Sequence, residues 1–587
     1  MKRASSLTEK QFLGTMMVLI FAELADSLCG VIDGVMVGRF LGSDAIAAHG
    51  VAAPVFLILC IFSFIITVGF QQPCTVCIGK GDLKKADGLF SMTVLLALAV
   101  SLALGLAGSL FPRAAAYLLG ARDSVILEMS ADYLQGVFIG VPALLLFLVL
   151  IPVLQLDGQW RLVRIGSVVM CLSDIGIDLL NVFVLKGGML GMGLATSLSY
   201  YLGLGVLLIY FLRKDRLFHF RRADIDWSRA GSLLRTGLPS GVQEGARAFS
   251  EILVTAFVMS SLGAACMAAL GVQRNLSTMF TTVAIGISGA VIMLGGISYG
   301  ERDRLGLMDV VRMAARTCIL EGGIICALLF ASAPFLVHLY MDYAAPAFPL
   351  AVFGVRCMAF WLPLYCWTRS VGAYLQGIEK REDAMAVYIL SDLVLPVASV
   401  WIMGSLWGAR GLFLAFPLGQ VLLTAALNLY FYVRRDRRYT GMEAYLGVDS
   451  SFGVPLENRL SRVLTTREEV WALAEEAQGF CLERGVSREN ANLVSIFIEE
   501  MGNIIMLYCF SGEKSNKLEV RLSLHHDMVI LRMRDDCPRF DITEKSAHWQ
   551  EDPEHPEVTY GVRMVMKASK VIIYNKSLKT NNLMVVF

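Results

Sequence analysis

The chain has 587 residues, of which 56% are hydrophobic and only 17% are charged, and its net charge is +1. Soluble proteins carry about 25% charged residues, so this composition excludes an ordinary soluble protein for most of the chain. The near-neutral charge gives no sign of a nucleic-acid partner.

Apolar stretches of about 20 residues are long enough to cross a bilayer, and they fill the chain up to Tyr432. Basic residues concentrate in the even-numbered connections between them and in the run Arg434–Arg438. Positive loops stay cytoplasmic, so we expect a multi-pass protein of the inner or plasma membrane with both termini in the cytoplasm. The sequence predicts twelve membrane-spanning helices, near residues 12–38, 45–78, 87–111, 127–154, 162–185, 190–213, 232–261, 265–297, 310–340, 346–375, 384–404 and 410–433.

A repeat divides this membrane region into two halves. Leu41–Val51 reads LGSDAIAAHGV and Leu262–Val272 reads LGAACMAALGV, with six of eleven residues identical at an offset of 221. Two similar hydrophobic halves in series are typical of secondary transporters. We therefore expect six-helix lobes over 1–215 and 216–440, related by a pseudo-twofold axis along the membrane normal.

The character of the chain changes near residue 441, where charged and amphipathic segments replace the apolar ones. We expect a cytoplasmic α/β domain over 441–587. The predicted elements are helices near 466–484, 488–509 and 561–568, strands near 517–524, 528–535, 570–575 and 582–587, and a loop over 541–558.

Charged residues inside predicted spans are costly and are functional candidates by default. Asp33 lies in the first span, and Asp174 and Asp178 lie one helical turn apart in the fifth. Two carboxylates at that spacing repel unless a proton or cation lies between them. The pattern predicts a site for an inorganic cation or a proton.

The seventh span carries Glu244, Arg247 and Glu251 on one face. Arg247 can neutralise either carboxylate, so this set is either a structural pairing or a part of a substrate cavity. Glu23 and Asp26 in the first span leave a similar choice between a functional role and a structural or surface position.

Four motifs in these spans form a recognisable combination: DGVMVGRFLGSDAIAA over Asp33–Ala48, GMGLAT over Gly191–Thr196, GLPS over Gly237–Ser240 and YLQG over Tyr374–Gly377. Together they resemble MATE (multidrug and toxic compound extrusion) transporters over residues 8–435. The resemblance implies a monomeric antiporter, not an enzyme, that exchanges a drug-like organic compound for Na⁺ or H⁺.

The resemblance also implies a cation site in the amino-terminal lobe. Its residues correspond here to Asp33, Asp174, Asp178 and Thr196. One departure is Asp174, because the family often has Asn there. A third carboxylate favours a bound cation or leaves one carboxyl protonated.

The tail resembles histidine-kinase-like ATPase domains of the anti-sigma-factor kinase type. The resemblance implies that Glu499 is the base, that Asn503 binds Mg²⁺, that Asp535 contacts adenine and that Gly561 belongs to the second glycine box. Cys537 and Arg539 replace glycines of the first box. Glycines there let backbone amides approach the phosphates, so we expect the fold but weak binding of ATP. A cytoplasmic regulatory protein that docks on the tail is the alternative.

Two other readings of the whole chain stay open. One is a membrane-tethered anti-sigma-like kinase or partner-binding sensor, against which the replaced glycines count. The other is a flippase for lipid-linked precursors, which predicts a strongly cationic central cavity.

Overall fold

A computed structural model describes residues 6–439, 441–449, 451–508, 516–525, 528–537, 564 and 566–587. The described chain is mostly helical, with one small sheet near its carboxy-terminal end. The helices up to residue 433 are α1 (Ser6–Met36), α2 (Ser43–Lys80), α3 (Leu83–Leu110), α4 (Pro112–Leu118), α5 (Ser124–Leu156), α6 (Trp160–Leu180), α7 (Gly188–Leu208), α8 (Ala230–Ser261), α9 (Ala264–Gly300), α10 (Arg304–His338), α11 (Phe348–Gly377), α12 (Arg381–Ile389) and α13 (Leu395–Val433).

Among the described residues, ten helical segments are long and apolar enough to cross a membrane. The stretch Arg381–Val433 counts once but breaks in the middle, because Gly408 has a φ of 61°. The 32 residues of α8 are long enough to span, and the charged face through Glu244 and Arg247 lowers their hydropathy. These two features account for the difference between ten segments and the twelve predicted spans.

The two halves meet through the same contact made twice. α1 packs against α9, and α2 packs against α8. Gly237 packs so closely against the carbonyl oxygen of Ile65 that a Cβ atom on this residue would clash with it. Gly286 packs in the same way against the carbonyl oxygen of Met16. Met16 precedes Gly237 by 221 residues, and Ile65 precedes Gly286 by 221 residues, which is the offset of the sequence repeat. The packing therefore follows the pseudo-twofold relation of the repeat.

A second symmetric contact closes the ends of α2 and α9 nearest the tail. Gly79 lies against the carbonyl oxygen of Ile297, and Gly300 lies against that of Val76. Each pair has no space for a side chain on the glycine, so the two backbones touch directly at this end of the bundle.

The tail is a sheet with two helices on one face. Its elements are β1 (Arg459–Leu464), α14 (Arg467–Glu483), α15 (Arg488–Tyr508), β2 (Leu518–His525), β3 (Met528–Asp535), β4 (Val571–Ser577) and β5 (Thr580–Val586). The strands are antiparallel in the order β1-β2-β3-β5-β4. Both long helices and the four predicted strands are confirmed, and β1 is an additional edge strand. The predicted loop over 541–558 lies outside the described residues, as do four of the eight residues of the predicted helix near 561–568.

The segment between the last span and β1 packs on the carboxy-terminal lobe. Arg304 is fully buried and donates from Nε to the Phe452 carbonyl (2.6 Å) and from Nη2 to the Asp449 carbonyl (2.7 Å). The Tyr374 hydroxyl donates to the Leu446 carbonyl at 2.8 Å. The separate core of the tail begins only at Leu460, in β1.

We expect Gly237→Ala to lower the thermal stability of the detergent-solubilised protein, because the new methyl group pushes α8 away from Ile65. Overpacking of this kind costs about 1–3 kcal/mol. Gly245→Ala is the matched control on the same helix, since its nearest neighbour is a flexible Ile61 methyl at 3.7 Å. Alanine there gains helix propensity of about 1 kcal/mol. Equal changes in Tm for the two variants would contradict the close lobe contact.

Candidate functional site

Three aspartates meet inside the amino-terminal lobe. α1 contributes Asp33, and α6 contributes Asp174 and Asp178. One carboxylate oxygen from each lies within 4.8 Å of the others. The residues are 8%, 1% and 1% exposed. The structure thus brings together the three carboxylates that the sequence predicted for a cation site.

These carboxylates lack neutralising partners within the described part of the chain. Both oxygens of Asp174 and Asp178, and Oδ1 of Asp33, are buried without a hydrogen-bond partner there. A buried ionised carboxylate without a partner is very unfavourable. A proton or a cation removes that penalty, and oxygen ligands of this kind suit hard cations.

Thr196 on α7 is buried beside this cluster, and its hydroxyl donates to the Met192 carbonyl of its own helix at 3.3 Å. Tyr133 on α5 is buried close to the three aspartates and to Thr196. Tyr133 was not predicted from the sequence, because an isolated tyrosine in an apolar span has no distinguishing spacing.

Asn181 follows Asp178 but is committed to the backbone. Its Oδ1 accepts from the Gly187 amide at 3.0 Å, and its Nδ2 donates to the Gly188 carbonyl at 3.1 Å. Asn181 also begins a π-helical turn that runs to Leu185. It therefore fixes the connection from α6 to α7, which in turn holds the end of α6 that carries Asp178.

A cavity of about 550 Å³ lies between the two lobes. Asp26 and Glu23 of α1 line one side, and α8 lines the other. Asp26 accepts a hydrogen bond from the Tyr200 hydroxyl at 2.6 Å. The charged residues that line this cavity are Glu23, Asp26, Glu244, Arg247, Glu251, Arg274, Arg369 and Asp392.

The seventh-span charges pair with one another and also line this cavity. Arg247 donates to Glu244 at 2.7 Å and lies 3.6 Å from Glu251. Arg369 of α11 lies 3.6 Å from Glu244 as well. Asp392 accepts from the Gln243 side chain at 3.1 Å. Arg369 and Asp392 were missed, although both are charges within predicted spans.

The tail residues lie apart from this site. Asp535 ends β3, and its Oδ1 accepts from Asn581 (2.7 Å) and from the Cys537 amide (3.0 Å). Burial raises the pKa of Asp535. On α15, Glu499 is exposed, and Asn503 has a buried Oδ1 without a partner among the described residues. The predicted roles of Gly561 and Arg539 fall outside the described residues.

The MatE family model matches this chain over residues 19–184 and 239–422. The chain belongs to the MatE family. The resemblance in sequence motifs is thereby confirmed for the membrane region, and the two matched segments lie in the two halves of the repeat. Family members are secondary transporters, so the expectation of a transporter rather than an enzyme is also confirmed.

Among relatives, the probable multidrug resistance protein YoeA of Bacillus subtilis is 25% identical over 340 residues, which is 55% of this chain and 71% of YoeA. The multidrug export protein MepA of Staphylococcus aureus is 22% identical over 422 residues, 71% of this chain and 92% of MepA. A solved outward-facing conformation of a multidrug resistance MATE family transporter has a TM-score of 0.68 at 20% identity, over 73% of this chain and 96% of that chain. The structural match shows a shared fold.

We expect Asp178→Asn and Asn181→Ala to separate ion binding from folding. A bound cation raises stability by mass action, by about 2.7 kcal/mol at a hundredfold excess over Kd. Asp178→Asn should abolish the rise in Tm that the wild type shows with sodium chloride or with acid. Asn181→Ala should lower Tm in every buffer and keep that rise. A retained rise in Asp178→Asn would contradict ion binding at the three aspartates.

Proposed function

We propose that the protein is a cation-coupled antiporter that exports drug-like organic compounds across the inner or plasma membrane. The unpartnered cluster of Asp33, Asp174 and Asp178 carries the proposal, with Thr196 beside it. The names of the relatives, multidrug export and multidrug resistance proteins, support the substrate class.

Coupling follows from the energetics of the three aspartates. Na⁺ or H⁺ relieves the repulsion among the buried carboxylates, so the ion binds best in the state that brings them together. An ion shifts a conformational equilibrium only by its difference in affinity for the two states. Binding from outside would therefore favour one orientation of the lobes, and release inside would favour the other.

The cavity between the lobes fits a small organic substrate better than an anionic lipid precursor. Five carboxylates and three arginines line it. Arg247 and Arg369 lie beside Glu244, which offsets their charge. The excess of acid favours positively charged organic compounds, whereas the flippase alternative requires a cationic cavity. The comparisons likewise give no support to a kinase-like sensor.

The arrangement of the chain follows from the same proposal. Each chain holds both lobes, 1–215 and 216–440, and so a complete cavity, which supports a monomer embedded in the bilayer. The basic even-numbered connections support cytoplasmic termini and a cytoplasmic tail over 441–587. Neither the proposed activity nor the near-neutral charge calls for nucleic acid.

For the tail, we propose a histidine-kinase-like ATPase fold that binds ATP and Mg²⁺ weakly and serves a regulatory role, either alone or with a cytoplasmic protein. Two helices on one face of an antiparallel sheet support the fold. Asp535 at the end of β3 and the unpartnered Asn503 oxygen support the adenine and Mg²⁺ positions. Glu499 lies one turn before Asn503, and Gly561 completes the proposed set.

We expect Asp33→Asn to reduce gradient-driven export in everted vesicles by about a hundredfold, because the coupling charge is lost. Asp178→Asn should behave alike, and Glu23→Gln should be milder. Asp132→Asn is the matched control, since it makes the same change at an exposed carboxylate on α5. Vesicles with an imposed Na⁺ or H⁺ gradient identify the ion. Wild-type export by Asp33→Asn would refute the coupling site.

We expect the full-length protein in nanodiscs to bind MgATP with an affinity weaker than micromolar. Charge-assisted hydrogen bonds contribute about 1.5–3 kcal/mol each, and two lost phosphate contacts weaken binding by a factor on the order of a hundred or more. Restoring glycine at Cys537 and Arg539 should tighten binding by that factor in calorimetric titrations. Sub-micromolar binding by the wild type would refute the argument from the replaced glycines.

A further inference from the structure

The sheet of the tail has one face without helices, and that face is basic. Strand alternation places Arg521 and Glu519 of β2 on the face opposite the apolar side chains that contact α14 and α15, together with Arg532 and Arg534 of β3. Arg521 and Arg532 are direct cross-strand partners. Like charges in that position destabilise a sheet. Arg521 forms an ion pair with Glu519 of its own strand at 2.7 Å, but one acid cannot neutralise three arginines, so the face needs further acidic groups.

The connection between α9 and α10 of the carboxy-terminal lobe supplies those acidic groups. Arg534 forms a close ion pair with Glu301, and Arg521 forms another with Asp303. Arg532 lies 3.5 Å from Glu301. All of these side chains are at most 15% exposed. The acids thus neutralise the basic face and attach the tail to the second lobe.

The pair of Arg521 and Asp303 stays charged across the neutral pH range. Burial opposes ionisation of Asp303, but Arg521, Arg534 and Arg532 lower its pKa from 3.8 to about 2. Because the pKa of Asp303 is lowered, the pair stabilises the folded protein fully at every pH above the ordinary aspartate pKa of 3.8. This stabilisation is lost only as the pH falls through about 2. Changes in pH near neutrality therefore leave the pair of Arg521 and Asp303 in place.

The amino-terminal lobe contacts the same sheet at the turn between β4 and β5 and just after β3. The Leu578 amide donates to the Leu156 carbonyl at 2.8 Å, and the Gln11 side chain donates to the Thr580 hydroxyl at 2.8 Å. Lys10 of α1 pairs with Asp536 at 2.8 Å. These contacts attach the tail to α1 and to the connection between α5 and α6.

The sheet therefore joins the two lobes at one end of the bundle. It does so where Gly79 and Gly300 bring α2 and α9 into backbone contact, and Ile573 of β4 rests on Gly81 next to that contact. Transporters built from two repeats change access by moving one repeat against the other. Opening this end would require the sheet to leave at least one lobe.

We propose that the carboxy-terminal sheet is a clamp that ties both lobes together and holds this end of the transporter closed until the sheet detaches from one of them. The proposal rests on the proposed transport function for its purpose, although the closure itself is measurable without transport. It makes the tail an autoinhibitory element, and a partner or ligand of the tail acts by competing for the basic face.

The test measures the distance between the lobes at the clamped end. Spin labels are placed by unnatural amino acids at Lys84 and Glu382, exposed residues of the two lobes, in full-length protein in nanodiscs, and distances are read by pulsed electron resonance. The wild type should show one short distance. Arg521→Glu should raise the fraction of separated lobes about tenfold. The exchange Arg521→Asp with Asp303→Arg should restore the short distance.

Two further variants guard against misfolding of the tail. Lys10→Glu lies on α1, outside the tail, and should also increase the separated fraction. A chain truncated after Asn458 keeps the partners of Arg304 and should open furthest. Arg462→Glu is the control, because its ion pair with Glu476 lies within the tail.

Wild-type distances in Arg521→Glu, Lys10→Glu and the truncated chain would overturn the clamp, whatever the protein transports. Separated lobes in these variants without any gradient-driven export would keep the clamp and refute the proposed transport function. Loss of membrane insertion on truncation would show instead that the tail is an integral part of the fold, and this also overturns a detachable clamp.

Discussion

Three carboxylates buried within 4.8 Å of one another cannot all be charged unless a cation accompanies them. This constraint governs the amino-terminal lobe. Two helices deliver the aspartates, and Asn181 fixes the turn that holds α6 in place. In the proposed coupling, an ion that binds there lowers the free energy of the state in which the helices bring the carboxylates together.

The repeat makes the two lobes similar in backbone and different in charge. Glu23 and Glu244 occupy equivalent positions, 221 residues apart. Three residues further on, one lobe has Asp26 and the other has Arg247. The carboxy-terminal lobe therefore neutralises its own carboxylate, while the amino-terminal lobe adds another acid to the cavity wall.

The sequence predicted the features that depend on local pattern. Apolar length indicated the spans, the repeat indicated two lobes, and the spacing of Asp174 and Asp178 indicated paired carboxylates. Contacts between distant segments were beyond it. Tyr133 of α5 lies close to the aspartates, and Arg369 of α11 lies 3.6 Å from Glu244. Neither residue belongs to a periodic pattern that would predict this proximity. The docking of the tail on the lobes was not predicted for the same reason. Alternating arginines in a strand are typical of a solvent-exposed face, and their acidic partners Glu301 and Asp303 are distant in the sequence.

The central claim is that Asp33, Asp174 and Asp178 exchange protons or bind a cation as a group. Infrared difference spectroscopy on purified protein with ¹³C-labelled aspartate tests it directly, by comparing Na⁺-containing with Na⁺-free buffer and acid with neutral pH. The account predicts a change in the carboxyl bands on adding the coupling ion, and its loss in Asp33→Asn. Carboxyl bands that respond to neither Na⁺ nor pH, or a response unaffected by that substitution, would contradict it.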